Sequence, residues 1–319
     1  MKNFKLNLGI IVIAASALLS SCENDYENEL PTIAAIAVEN PDFSTLEGAA
    51  ILGGVAVTLS NKNPNDKNGD YTVFAPNNAA FAKLGLVDEG SLSALQGSFL
   101  TSTLLYAVSN GKLPSGAISA GGGSQSALGP DRSFITRGTD KYINGSKIIA
   151  TDVAASNGTV HVIDKVLIAT GVNIVDSAIL LQTKKVFKNA ELTFLVQAVI
   201  KSGLAGVLSD PANNFTVYAP TDAAFKAAGF PTAEAVAAAP AAALQTILLN
   251  HAIGGGKFTS QQTATTATTA GGGTLTYSPF TNGVFTVKSN GNPKAANMVI
   301  PDIKCSNGVV HVIDQVLAP

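Results

Sequence analysis

Beyond residue 30, apolar positions recur at helical or alternating spacing, and the elements they predict come in the same order twice. In the first half, 32–38 is apolar, and 43–53 (F-S-T-L-E-G-A-A-I-L-G) fits an amphipathic helix stopped at Gly53-Gly54. A polar stretch, 60–70, leads to Y-T-V-F-A-P-N-N-A-A-F at 71–81. It reads as a strand broken at Pro76, then a short helix capped by Asn77 or Asn78. The apolar-periodic run 92–108 predicts a helix ending at Ser109-Asn110-Gly111, after which glycine and proline punctuate short strands. In the second half, 189–203 predicts a helix with Leu192, Leu195, Val196 and Val199 on one face and Gly203 past its end. The segment F-T-V-Y-A-P-T-D-A-A-F at 215–225 matches 71–81 at seven of eleven positions. An Ala-rich stretch, 232–253, is helical apart from a break at Pro240, and strands follow at 284–287 and 298–303.

The closest internal match ends each half. S-N-G-T-V-H-V-I-D at 156–164 returns as S-N-G-V-V-H-V-I-D at 306–314, eight of nine positions identical. Asn-Gly suits a tight hairpin turn, and the Val/Ile run around His161 or His311 reads as a buried strand that closes the sheet of its half. The repeats divide the chain into a first domain, 31–170, and a second, 171–319. The connection near 170–173 is too short to let them roam, so they sit end to end with a restricted hinge.

Composition narrows the function classes. Charged residues make up 13%, the formal net charge is −2 and no basic stripe is present, so no nucleic-acid partner is expected. Aromatic content is 6% without Trp, which disfavours a deep sugar cleft. Residues 1–21 read as a lipoprotein signal peptide: Lys2 and Lys5 precede an apolar run, 8–19, too short to span a bilayer. Leu19-Ser20-Ser21-Cys22 resembles the bacterial lipobox and predicts palmitate-type acylation of Cys22, an anchor that holds the membrane without crossing it. The tether 22–30 carries Glu23, Asp25, Glu27 and Glu29, resembling the export signals of surface-exposed outer-membrane lipoproteins.

Three stretches in each half, taken in order, resemble the fasciclin (FAS1) family. T-V-F-A-P-N-N-A-A-F (72–81) and T-V-Y-A-P-T-D-A-A-F (216–225) come first, and N-G-T-V-H-V-I-D (157–164) and N-G-V-V-H-V-I-D (307–314) come last. Between them the family carries a His after a Leu-rich helix; the second half has Leu248-Leu249-Asn250-His251, whereas the first has Leu104-Leu105-Tyr106-Ala107. The resemblance implies an α+β fold, two tandem domains each a β-sandwich or wedge flanked by short helices. It also implies cell-surface adhesion work without a cofactor. In animal members an Asp-Ile pair before the last strands is assigned to adhesion; here it matches Asp302-Ile303, and Asp152-Val153 in the first domain, as a candidate ligand-contact edge.

Candidate chemistry is sparse. His161, His311 and His251 read as structural hydrogen-bonding residues, and Asp164 and Asp314 as acceptors for backbone amides near each domain's end. The segment 66–70 (D-K-N-G-D) starts like a calcium loop, but Asn77 stands where the bidentate Glu belongs, so it reads as a surface turn and no metal site is expected. Cys305 reads as inert packing, 263–270 as an exposed Thr/Ala loop, and Asp176-Ser177-Ala178 as a sequence able to accept an O-glycan. The expected function is a lipid-anchored, non-catalytic surface module binding a protein or polysaccharide. Alternatives are an accessory subunit of an outer-membrane uptake or attachment complex, and a hydrolase built on His251 and Thr221-Asp222.

Overall fold

The computed structural model describes residues 29–182 and 192–319, so the signal segment and Cys22 lie outside the described residues, as do 183–191. The first domain opens with three helices, α1 (Ile33–Glu39), α2 (Ser44–Leu52) and α3 (Ala56–Ser60). Strand β1 (Tyr71–Pro76) follows, then α4 (Asn78–Ala82), α5 (Glu89–Ser93) and α6 (Gly97–Tyr106). Strands complete it: β2 (Val108–Asn110), β3 (Gly123–Gln125), β4 (Asp131–Arg137), β5 (Asp140–Ile143), β6 (Ser146–Ala155) and β7 (Gly158–Ile163). They form one sheet in the order β2-β1-β7-β6-β5-β4-β3.

The second domain repeats the plan. After β8 (Ile168–Ala169) come α7 (Ile174–Leu181), α8 (Thr193–Ser202), α9 (Ala205–Ser209), β9 (Phe215–Pro220) and α10 (Asp222–Ala227). Then come α11 (Ala233–Ala238), α12 (Ala241–Leu249), β10 (Ala252–Gly254), β11 (Thr266–Thr268), β12 (Thr274–Tyr277), β13 (Val287–Ser289), β14 (Met298–Cys305) and β15 (Gly308–Ile313). Here the sheet splits into β10-β9-β15-β14-β8 and a smaller β11-β12-β13.

The repeated motif occupies the middle of each sheet instead of closing it. Strand β7 runs parallel to β1, from Tyr71 opposite Gly158 to Pro76 opposite Ile163, and antiparallel to β6 on its other side. Helices cover one face through Leu46, Leu100 and Leu104, and Phe134 and Ile143 cover the other. A strand buried on both faces reads as a continuous Val/Ile run, which is why the motif lacks alternation. Its Asn-Gly does more than turn the chain. A Cβ on Gly158 would overlap the Tyr71 carbonyl, and one on Gly308 the Phe215 carbonyl, so only glycine lets the paired strands approach. Asn157 Oδ1 accepts the Ile33 amide at 2.9 Å while its Nδ2 donates to the Leu59 and Asn61 carbonyls. Asn307 repeats this latch on Ile174, Leu208 and Asp210.

Local signals held where caps were explicit. Asn77 caps α4 through the Ala80 amide, and Thr221 caps α10 through Ala224. Asn78 instead accepts the Thr45 amide in the first turn of α2, and Asp222 accepts Phe194 at the same place on α8. Two runs differ from expectation. The stretch 92–108 breaks into the end of α5, α6 and the start of β2, and 263–270 contains β11. In the first, pairing of β2 with the distant β1 overrides local propensity, and in the second a short hairpin with β12 orders the loop.

The joint between domains is a built surface. Strand β8, read as the end of the first domain, pairs parallel with β14, Ile168 opposite Ile303, and so belongs to the second domain's sheet. Just before it, Lys165 reaches into the second domain and donates to Asp302 Oδ2 at 2.8 Å, the Gly283 carbonyl at 2.6 Å and Thr259 Oγ1 at 3.1 Å, all buried. Arg137 donates to the Ser260 and Gln262 carbonyls and lies 4.2 Å over the Phe280 ring, and Ser260 Oγ donates to the Asn144 carbonyl. Removing one partner of a buried ion pair costs about 3–5 kcal/mol. Urea denaturation of Lys165→Met in the full chain should show that loss; a loss below about 1 kcal/mol would mean the pair contributes no more than an exposed one.

Candidate functional site

The segment that the resemblance singles out is a bulge held by a buried histidine. Register shifts between Ala150 and Val153 in β6, and between Ile300 and Ile303 in β14, leave an extra residue in each strand. Asp152 and Asp302 sit there with φ of 59° and 66°, a left-handed conformation that Asp tolerates better than most residues. The Asp152 amide donates to His161 Nδ1 at 3.2 Å, and His161 Nε2 lies 2.8 Å from the Leu113 carbonyl. A nitrogen that accepts cannot carry the proton, so Nε2–H donates and the ring is neutral. His311 does the same with the Asp302 amide at 3.0 Å and the Lys257 carbonyl at 3.0 Å. Burial pushes both imidazoles below their ordinary value, more than the nearby carboxylates and carbonyls raise them.

The two copies of this bulge then part company. Asp152 Oδ1 accepts the Ser115 amide at 2.8 Å; hydrogen bonding to the Ser115 hydroxyl, and then to this amide, holds its carboxyl below the usual range, and the side chain stays exposed. Asp302 accepts the equivalent amide, Thr259, at 2.6 Å, and also takes the Thr259 hydroxyl and the Lys165 ammonium. Burial would raise the Asp302 carboxyl, but the Lys165 ammonium and these hydrogen bonds hold it below the ordinary value. Val153 is 37% exposed and its counterpart Ile303 is 0% exposed. Asp302-Ile303 is therefore corrected as a ligand-contact edge: the joint consumes its carboxylate and covers its neighbour. Asp152-Val153 remains on the surface. Among the described residues no strand pairs with 149–154 on the side away from β7, and Ile149 is 48% exposed.

Other singled-out residues are engaged by the backbone. Asp164 Oδ1 accepts the Lys147 amide at 2.7 Å and its Oδ2 pairs with Lys83 at 3.2 Å; Asp314 Oδ1 accepts the Asn297 amide at 2.7 Å. His251 Nδ1–H donates to the Ile247 carbonyl at 2.8 Å and Nε2 accepts the Leu317 amide at 2.8 Å, tying down the C-terminal strap. With both nitrogens used, and with Thr221 and Asp222 occupied at helix starts, the three residues of the hydrolase alternative form no base–nucleophile pair. Cys305 is buried and its thiol is pushed up to about 11 by burial. Ser177 is fully buried and donates to the Asn173 carbonyl, so the O-glycan expectation at 176–178 is corrected. Asp66 closes a turn on the Asn68 and Asp70 amides.

Sequence reasoning missed Lys165. The signal was present, because the repeat continues as Asp164-Lys165 in one copy and Asp314-Gln315 in the other. It also missed an apolar cavity of about 240 Å³ between the first domain's helices and sheet, lined by Ile36, Leu46, Ala50, Val73, Leu104 and Ala107 among others. The same place in the second domain holds about 50 Å³.

The chain is thus a tandem of two α+β modules on one plan, each centred on a parallel strand pair beneath a helical layer. It belongs to the fasciclin family: the fasciclin-domain model matches residues 41–169 and 190–319. Relatives include protein sll1483 of Synechocystis, 34% identical over 155 residues, covering 48% of this chain and 80% of that protein. Immunogenic protein MPB70 of Mycobacterium bovis is 33% identical over 138 residues, 42% of this chain and 67% of that one. The cell surface glycolipoprotein MPB83 of the same species is 35% identical over 135 residues, 42% and 59% of the respective chains. The FAS1 domain pair of the insect cell adhesion molecule Fasciclin I aligns with TM-score 0.40 and 16% identity over 90% of this chain and 96% of that one. No helix among the described residues is long and apolar enough to cross a membrane.

A pH dependence follows from the neutral rings. Burial holds His251 at about 4 in the fold, against about 6.5 when unfolded, so the unfolded chain binds the extra proton and stability falls with pH between those values. His251 alone should cost about 2 kcal/mol between pH 7.5 and pH 5. Urea melts at the two pH values check this, with His251→Gln losing its share of the slope. An unaltered slope in that variant would show that the ring takes up its proton in the fold as readily as in the unfolded chain.

Proposed function

We propose that this chain is a lipid-anchored, non-catalytic surface module that binds a protein or polysaccharide through the open edge of β6 in its first domain. The observation that supports this reading is the contrast between the two copies. The edge of β14 is closed by β8 and Lys165, whereas the Ile149–Val153 side of β6 keeps two apolar side chains and the Asp152 carboxylate at the surface. Exposed edges of this kind template strand addition, with backbone hydrogen bonds giving affinity and alternate side chains giving specificity. Cys22 is proposed as the acylated residue and the outer surface of the outer membrane as the location, in keeping with a relative named as a cell surface glycolipoprotein.

The test is binding of the full chain to arrayed extracellular-matrix proteins and envelope polysaccharides. Ile149→Lys with Val153→Lys places charges on the edge and should weaken any specific signal at least tenfold. Ile200→Lys, the same chemistry on an exposed helical residue of the second domain, should leave it unchanged. Equal loss in both variants, or no saturable binding to any array, would contradict the proposal.

A further inference from the structure

We propose that the cavity of the first domain is a binding site for the aliphatic chain of a neutral, single-chain lipid such as a monoacylglycerol. Duplication supplies the control. Because Asn78 and Asp222 bond the amides of Thr45 and Phe194 from matching motif positions, α2 and α8 align residue by residue. That alignment places Ala50 where the second domain has Val199, and Glu47 where it has Val196. Ala107 stands at the place of His251, since their carbonyls accept the Phe74 and Tyr218 amides in turn. All six line their respective cavities. Two truncations to alanine on facing helices, α2 and the end of α6, accompany the opening from about 50 Å³ to about 240 Å³.

Shape and chemistry select the guest. A cavity of about 150 Å³ with aliphatic lining stays dry and takes a benzene-sized molecule. This one is larger, walled by the β1–β7 strand pair on one side and helices on the other. Val38 and Ile51, 61% and 62% exposed, also line it and mark its mouth. Exposed apolar side chains around an apolar entrance suit a chain that slides in from a lipid or carrier. Glu47, half-buried, is the acidic side chain in the lining and stands where the second domain has Val196. Its carboxylate disfavours a fatty-acid carboxylate at the entrance and favours an uncharged hydroxyl-bearing head. The site is distinct from the β6 edge, whose Ile149 and Val153 do not line it.

The probe is monodecanoylglycerol, titrated into the full chain and its Cys22→Ser variant by calorimetry, with decanoic acid as the anionic contrast. Saturation at one probe per chain is expected, with decanoic acid at least tenfold weaker and the difference reduced by Glu47→Gln. Ala50→Val, which installs the second domain's own side chain, should weaken probe binding at least tenfold while raising thermal stability. Ile149→Lys with Val153→Lys should leave it intact. Equal binding by wild type and Cys22→Ser means the chain comes from outside; binding only by Cys22→Ser means the chain's own acyl group already fills the site. The first outcome supports the free lipid as occupant, and the second replaces it with the chain's own acyl group and overturns the proposal. No saturable binding by either protein, or binding indifferent to both Ala50→Val and a second filling variant, Ala107→Val, would overturn the assignment.

Discussion

The ion pair between Lys165 and Asp302 joins two domains at a point where neither charge meets solvent. Burial of a carboxylate is tolerated only with a paired cation and full hydrogen bonding, and Asp302 has both, from the Lys165 ammonium and the Thr259 amide and hydroxyl. That requirement fixes the arrangement of the domains. Once Lys165 is drawn in, β8 follows directly and takes its place beside β14, and the second domain's bulged edge is closed. The first domain carries the same bulge, with the same histidine behind it, and among the described residues no cation pairs with Asp152.

Each module is rigid for a related reason. The central strand is packed on both faces and pressed against its parallel neighbour at a glycine, so its backbone groups are committed. Burial lowers the pKa of its histidine, and each ring nitrogen serves the backbone, one accepting from the bulge and one donating to the loop after β2 or β10. The polar residues that looked most like chemistry therefore turn out to position an edge. Variation between the copies falls where the framework leaves room, at Lys165 against Gln315 and at Ala50 and Ala107 against Val199 and His251. A fold that duplicates a scaffold and then diverges at a few positions can hold one copy in a structural role and free the other for binding.

Much of this could be read from the chain. The tandem arrangement, the cap at Asn77 or Thr221, the break at Pro76 and the helix stop at Gly203 rest on local chemistry that tertiary packing reinforces. The position of the repeated motif inside the sheet was not legible, because periodicity shows that a strand is buried but not which strands flank it. The short strand β2 was missed for the same reason, its conformation being set by a partner far along the chain, and β11 was missed because its Thr/Ala composition hides the short hairpin it makes with β12. At the candidate edge, the sequence aligns Asp152-Val153 with Asp302-Ile303, but only the fold shows that Asp302 is sealed by a lysine 137 residues earlier. The cavity was hidden because it arises from what Ala50 and Ala107 lack.

The central claim is that, among the described residues, one copy's edge is left unpaired while its twin is closed, and amide hydrogen exchange of the full chain addresses it directly. Peptides covering 301–305 should be strongly protected, and peptides covering 151–155 should exchange at least a hundredfold faster at the same pH, because opening free energy tracks pairing and burial. Equal protection at the two segments would show that the β6 edge is already occupied in the free protein and would contradict the account.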